Sequence, residues 1–87
     1  MTDIHIVKID SGTYRVTVAA QSTTTHTVTV QADYAQKLTN GQLSHTELLK
    51  KSFEFLLQRE PNTSILRSFD LSVISRYFPE YEREISK

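Results

Sequence analysis

Cysteine and tryptophan are absent from the 87 residues, and glycine and proline occur only twice each. Without cysteine there are no disulfides and no thiolate metal sites, a composition that fits a reducing compartment. Gly12 and Gly41 are too few and too far apart for a glycine-rich phosphate loop. No stretch approaches the ~18 consecutive apolar residues that a membrane span requires. The opening segment, Met1 to Lys8, lacks the basic region and long apolar run of a secretory signal. The expectation is a cytoplasmic protein with no membrane partner.

One sign of charge is never in excess. Ten basic side chains balance ten acidic ones, and the balance holds along the chain: Lys8, Arg15 and Lys37 stand against Asp3, Asp10 and Asp33 in the first half. Nucleic-acid binding draws most of its affinity from basic side chains on phosphates. No basic run supplies that here, which argues against a nucleic-acid partner. At this length one domain, residues 1–87, is expected. Such a domain buries about 60–65% of its unfolded surface, enough for one modest core and no large interior cavity.

What is present is clear alternation. Tyr14, Val16, Val18 and Ala20 fall on one face of a strand over 13–20, and His26, Val28 and Val30 on one face of a strand over 24–31. An earlier strand over 4–9 breaks phase, since Ile4 and Ile6 oppose Val7 and Ile9, so a bulge or cover on both faces is expected. The turn signal Asp10-Ser11-Gly12 and the short segment after Ala20 join the three into an antiparallel meander. Asp33 is placed to cap a short helix over 33–38, with Gly41 at its left-handed end. Ser44 and Glu47 form the S-x-x-E capping box of a main helix over 45–60, which Pro61 stops. Short helices are expected over 63–69 and 71–78, from the apolar spacing Ile65, Leu66, Phe69 and then Val73, Ile74, Tyr77, Phe78. The tail over 80–87 is expected to fray. The fold class is thus α+β, a three-stranded antiparallel meander packed against the main helix and short helices.

The segments Ser52 to Pro61, Ser64 to Leu71 and Arg76 to Glu82 together resemble a family of short uncharacterised bacterial proteins. That resemblance implies a bacterial, cytosolic, stand-alone protein and transfers no site residues.

No chemistry-bearing constellation emerges. His5, His26 and His45 show no ligand spacing. Ser11, Ser22, Ser44 and Ser64 are accounted for by turns and helix starts, and no serine sits in a nucleophile-elbow motif. No catalytic residue, cofactor site or metal site is expected. The candidate binding face is Thr13, Thr17, Thr25, Thr27 and Thr29, which share one side of two adjacent strands; the plain alternative is that threonine suits a solvated β surface. A second candidate surface is the apolar stretch from Phe69 to Tyr81.

Residues 25–60, in the order strand, short helix, glycine and S-x-x-E-L-L helix, also resemble the ribbon-helix-helix DNA-binding motif. That resemblance implies a dimer whose paired strands would present Thr27, Thr29 and Gln31 to the major groove. The first helix is short for that family, and residues 16–36 carry no basic side chain. The leading expectation is a small non-catalytic accessory or binding protein whose partner is another protein, with a monomer favoured over a homodimer. A dimeric ribbon-helix-helix-like regulator or antitoxin is the alternative.

Overall fold

The computed structural model of the protein describes residues 2–86. Three strands form the meander: β1 (Asp3–Asp10), β2 (Thr13–Ala19) and β3 (Thr23–Thr29). Two helices follow, α1 (Ala32–Thr39) and α2 (His45–Leu57). The chain then makes a 3-10 turn at Asn62–Ser64, a short fourth strand β4 (Ser68–Asp70), a second 3-10 turn at Leu71–Val73, and helices α3 (Ile74–Tyr77) and α4 (Tyr81–Ile85). The sheet order is β1-β2-β3-β4, antiparallel except for the parallel pair β3–β4.

The alternation does what it predicts. Val16 and Val18 of β2 and Val28 of β3 are fully buried, and Tyr14 nearly so. They face the stripe of α2 that carries Leu48, Leu49, Phe53 and Leu56. The register of β1 is regular from Asp3 to Lys8 and a bulge follows, between Lys8 and Asp10. Val7 stands opposite Arg15 on the sheet face away from the helices and is exposed there, and Ile9 is exposed as well. The helix α2 opens on the expected capping box: the Glu47 N–H donates to the Ser44 hydroxyl and the Ser44 N–H to the Glu47 carboxylate, both at 3.1 Å.

Several boundaries differ, each for a physical reason. The segment over 63–69 is no helix. After its one 3-10 turn it extends and pairs with β3, the Thr27 N–H donating to the Arg67 carbonyl at 2.7 Å. The main helix ends at Leu57 rather than 60, where Gln58 closes it onto the carbonyls of Glu54 and Leu56. Asp33 is not the cap of α1; it lies in the first turn, and Gln31 is the N-cap. Asn40 and Gly41, both with positive φ, terminate that helix. The helix over 71–78 divides into the 3-10 turn and α3. In the tail, Tyr81 and Ile85 of α4 are buried against the core. Lys87, the last residue of that tail, lies outside the described residues, as does Met1.

Candidate functional site

The five threonines do share a surface. Thr13 stands opposite Thr29, Thr17 opposite Thr25, and Thr27 opposite Arg15, on the face of the sheet away from the helices. Thr25 and Thr29 are exposed and the other three half-buried. The arrangement is a set of cross-strand pairs, each contributing about 0.2–1 kcal/mol to the sheet. It offers hydroxyls to a partner, with Arg15 and the exposed Val7 in the same cross-strand row as Thr27.

A second surface with apolar relief lies on the β4 side. Four large apolar side chains are exposed among the described residues: Val7, Ile9, Leu66 and Tyr77. The last two flank a groove of about 330 Å³ on the β4 side of the domain. Leu56 from α2, Ile65 from the extended segment and Ile74 from α3 form its buried lining. Phe69 and Phe78, both half-buried, complete the walls. The space opens at the surface rather than inside, consistent with the single modest core. Of its lining residues only Glu60 is charged. That carboxylate, half-buried at the end of the helical segment, makes no hydrogen bond or ion pair with any described residue.

A buried polar chain holds the groove's outer wall to the sheet. His26, 1% exposed, places Nδ1 2.7 Å from the Leu66 carbonyl and Nε2 2.8 Å from the Thr24 hydroxyl. A carbonyl only accepts, so Nδ1 carries a proton and donates it to Leu66, while Nε2 shares a hydrogen bond with Thr24. Asn62, also buried, donates from Nδ2 to Thr24 Oγ1 and to the Ser22 carbonyl, each at 2.9 Å. His26 thus occupies an apolar position of β3 because it meets a backbone carbonyl, with the Phe53 ring packed at 5.4 Å. A hydroxyl on an imidazole held by a third group has the outline of a nucleophile and its base. Here the same oxygen also accepts from the Asn62 amide, so these bonds tie β3 to Asn62 and to Leu66.

On the far side of the groove, Arg59 braces the end of α2. Its guanidinium lies 3.6 Å above the Phe55 ring, and its Nε donates to Glu80 at 3.2 Å. Phe55 in turn meets the Phe78 and Tyr81 rings edge-on.

Comparison of this chain with family models, with curated proteins and with solved structures gives no match. Among the described residues no group of histidines and carboxylates is placed to hold a metal ion, and no helix is long and apolar enough to cross a membrane.

One point of topology bears on the ribbon-helix-helix comparison. Strand β3 lies between β2 and β4 over Thr27–Thr29, so the strand that would pair between subunits has no free edge there. Of the groove, the sequence pointed to Phe69, Val73, Ile74, Tyr77 and Phe78 and missed Leu56, Glu60, Ser64, Ile65 and Leu66. The helical spacing of Ile65, Leu66 and Phe69 read as one inward face, whereas Leu66 is 47% exposed.

Proposed function

We propose that this is a small cytoplasmic binding protein, without catalysis, that holds an apolar segment of a partner protein in the groove beside β4. The observation that carries it is the pairing of exposed apolar rims with a lone acidic group. Tyr77 is 66% and Leu66 47% exposed, and Glu60 is the one charged residue of the lining. Exposed apolar relief of this kind marks interaction sites more often than scattered single residues do. An aromatic anchor beside a buried pocket is the composition of binding hot spots. The partner segment is therefore one with an apolar anchor and a lysine or arginine next to it, set against Glu60. Lack of cysteine supports the reducing compartment.

The test is selection from a random peptide array, followed by titration of the selected peptides against the protein and three variants. The expected peptides pair an aromatic or branched anchor with a neighbouring basic residue. Tyr77→Ala abolishes their binding, Glu60→Gln weakens it by about tenfold, and Thr27→Ala leaves it unchanged. Selection with no basic preference, or loss in Thr27→Ala but not in Tyr77→Ala, would transfer the function to the threonine face.

A further inference from the structure

The opposite edge of the sheet carries a second, independent feature. Hydrogen bonding along β3 shows which way each backbone group points. The Thr27 N–H reaches Arg67 on the β4 side, and the Val30 N–H reaches Gly12 on the β2 side. Even-numbered residues of β3 therefore face β2, and directions alternate along each strand. Val16 of β2 is opposite His26, so Val16 and its even-numbered neighbours face β3, and Thr17 and Arg15 face β1. Thr17 is opposite His5 and Arg15 opposite Val7. It follows that Asp3, His5 and Val7 bond inward to β2, while the N–H and C=O groups of Ile4, Ile6 and Lys8 point outward from the sheet.

No described strand lies beyond them. β1 has eight residues and no proline, and at its far end Val7 is 55% and Ile9 46% exposed. Natural edge strands are commonly short, interrupted or strongly charged to prevent pairing. Here the guards, Lys8 and the bulge after it, lie toward one end of the strand, and the register from Asp3 to Lys8 is regular.

We propose that β1 pairs antiparallel with β1 of a second copy of this chain, about a two-fold axis at Ile6, joining two sheets into one. Ile6 is then opposite Ile6 of the second copy, and Ile4 opposite Lys8. Each pair exchanges both backbone bonds, because these are the residues whose groups face outward. On the other face His5 lies opposite Val7 of the second copy. The two Val7 side chains become diagonal neighbours and lose their exposure to water. Charge selects this register: the two Lys8 ammonium groups sit at opposite ends of the paired segment, each with its stem along Ile4. An axis at Val7 would make the two lysines diagonal neighbours, and like charges so placed are destabilising. An axis at His5 would shorten the paired stretch.

Sedimentation equilibrium of the full chain across a wide concentration range tests this. The monomer mass is 10.0 kDa, and the expected result is a reversible approach to twice that mass. Lys8→Pro removes only an outward-facing donor from an exposed edge position, where proline is tolerated, and should weaken self-association by about tenfold or more. Val7→Glu, an exposed site that makes two carboxylates diagonal neighbours across the axis, should do the same with the fold intact by circular dichroism. Fast amide exchange at Ile6 should accompany the monomeric variants. A wild-type protein that stays at the monomer mass throughout, or a dimer that survives both substitutions, would overturn the proposal.

Discussion

Ser52 and Tyr81 touch at the centre of the core, hydroxyl to hydroxyl at 2.6 Å, each with no exposed surface. Ser52 also lies 2.7 Å from the Leu48 carbonyl, which accepts its proton, so the Tyr81 hydroxyl is the donor to Ser52. This contact pins α4 onto α2.

The two members of that contact should respond unequally to deletion. Ser52→Ala strands the buried Tyr81 hydroxyl and should cost about 1–3 kcal/mol. Tyr81→Phe leaves Ser52 bonded to Leu48 and should cost about 0.5–1.5 kcal/mol. The double variant should be less destabilised than the two losses added together, because no orphaned donor remains. Urea midpoints of the four proteins check it; strict additivity would show that the bond carries no coupling.

The capping box gives a second expectation. Ser44→Ala should destabilise the domain by about 0.5–2 kcal/mol. Thermal melts of wild type and variant decide it, and an unchanged midpoint would mean that α2 does not depend on this cap.

Alkaline pH should weaken the fold through Tyr81. Burial pushes its phenol well above the ordinary value of a free tyrosine. Burial first, and the bond to the Glu82 carboxylate second, raise Tyr34 as well. A group raised in the folded state keeps its proton while the unfolded chain loses it. The stabilisation is therefore complete below about pH 10 and is lost as pH climbs above it. Tyr81→Phe should flatten the alkaline limb of a stability-against-pH curve, whereas an unaltered limb would place the titration elsewhere.

Acid should act through the caps. The Ser44 backbone N–H, and then its hydroxyl, hold the Glu47 carboxyl below its usual range. Burial pushes Asp70 up, but the Ser72 N–H and hydroxyl and the Gln31 amide outweigh it and leave it lowered. Depressed carboxylates stabilise above their unfolded values near 4 and lose that contribution as pH falls. Asp70→Asn should shallow the acid limb of the same curve.

Duplex DNA should not be bound specifically at about 0.15 M salt. Arg15 is the one basic side chain of β2 and β3, so the counterion-release term that brings proteins onto DNA is missing. Titration with random and genomic duplexes at two salt concentrations should show neither affinity nor a salt slope.

Much of the fold was legible because its signals are local. Alternation at Tyr14, Val16 and Val18 places β2, and Ser44 with Glu47 places the start of α2. What was illegible depends on partners distant in sequence. Nothing near Ser68 announces a strand; β4 exists because Thr27 and His26 offer bonding partners to Arg67 and Leu66. A histidine at an apolar position of β3 was the one trace of that neighbour, since a buried imidazole requires something to bond. The groove was half visible for the same reason: its α3 wall follows helical spacing, while its Ile65–Leu66 wall follows strand pairing.

That wall has a place in time as well as in space. The meander closes over short turns, whereas β4 must return across some 40 residues to meet His26. Contacts that close long loops tend to form late in folding. A partner seated in the groove would therefore act as a clamp on a late-closing contact, holding the Ile65–Leu66 wall against the sheet.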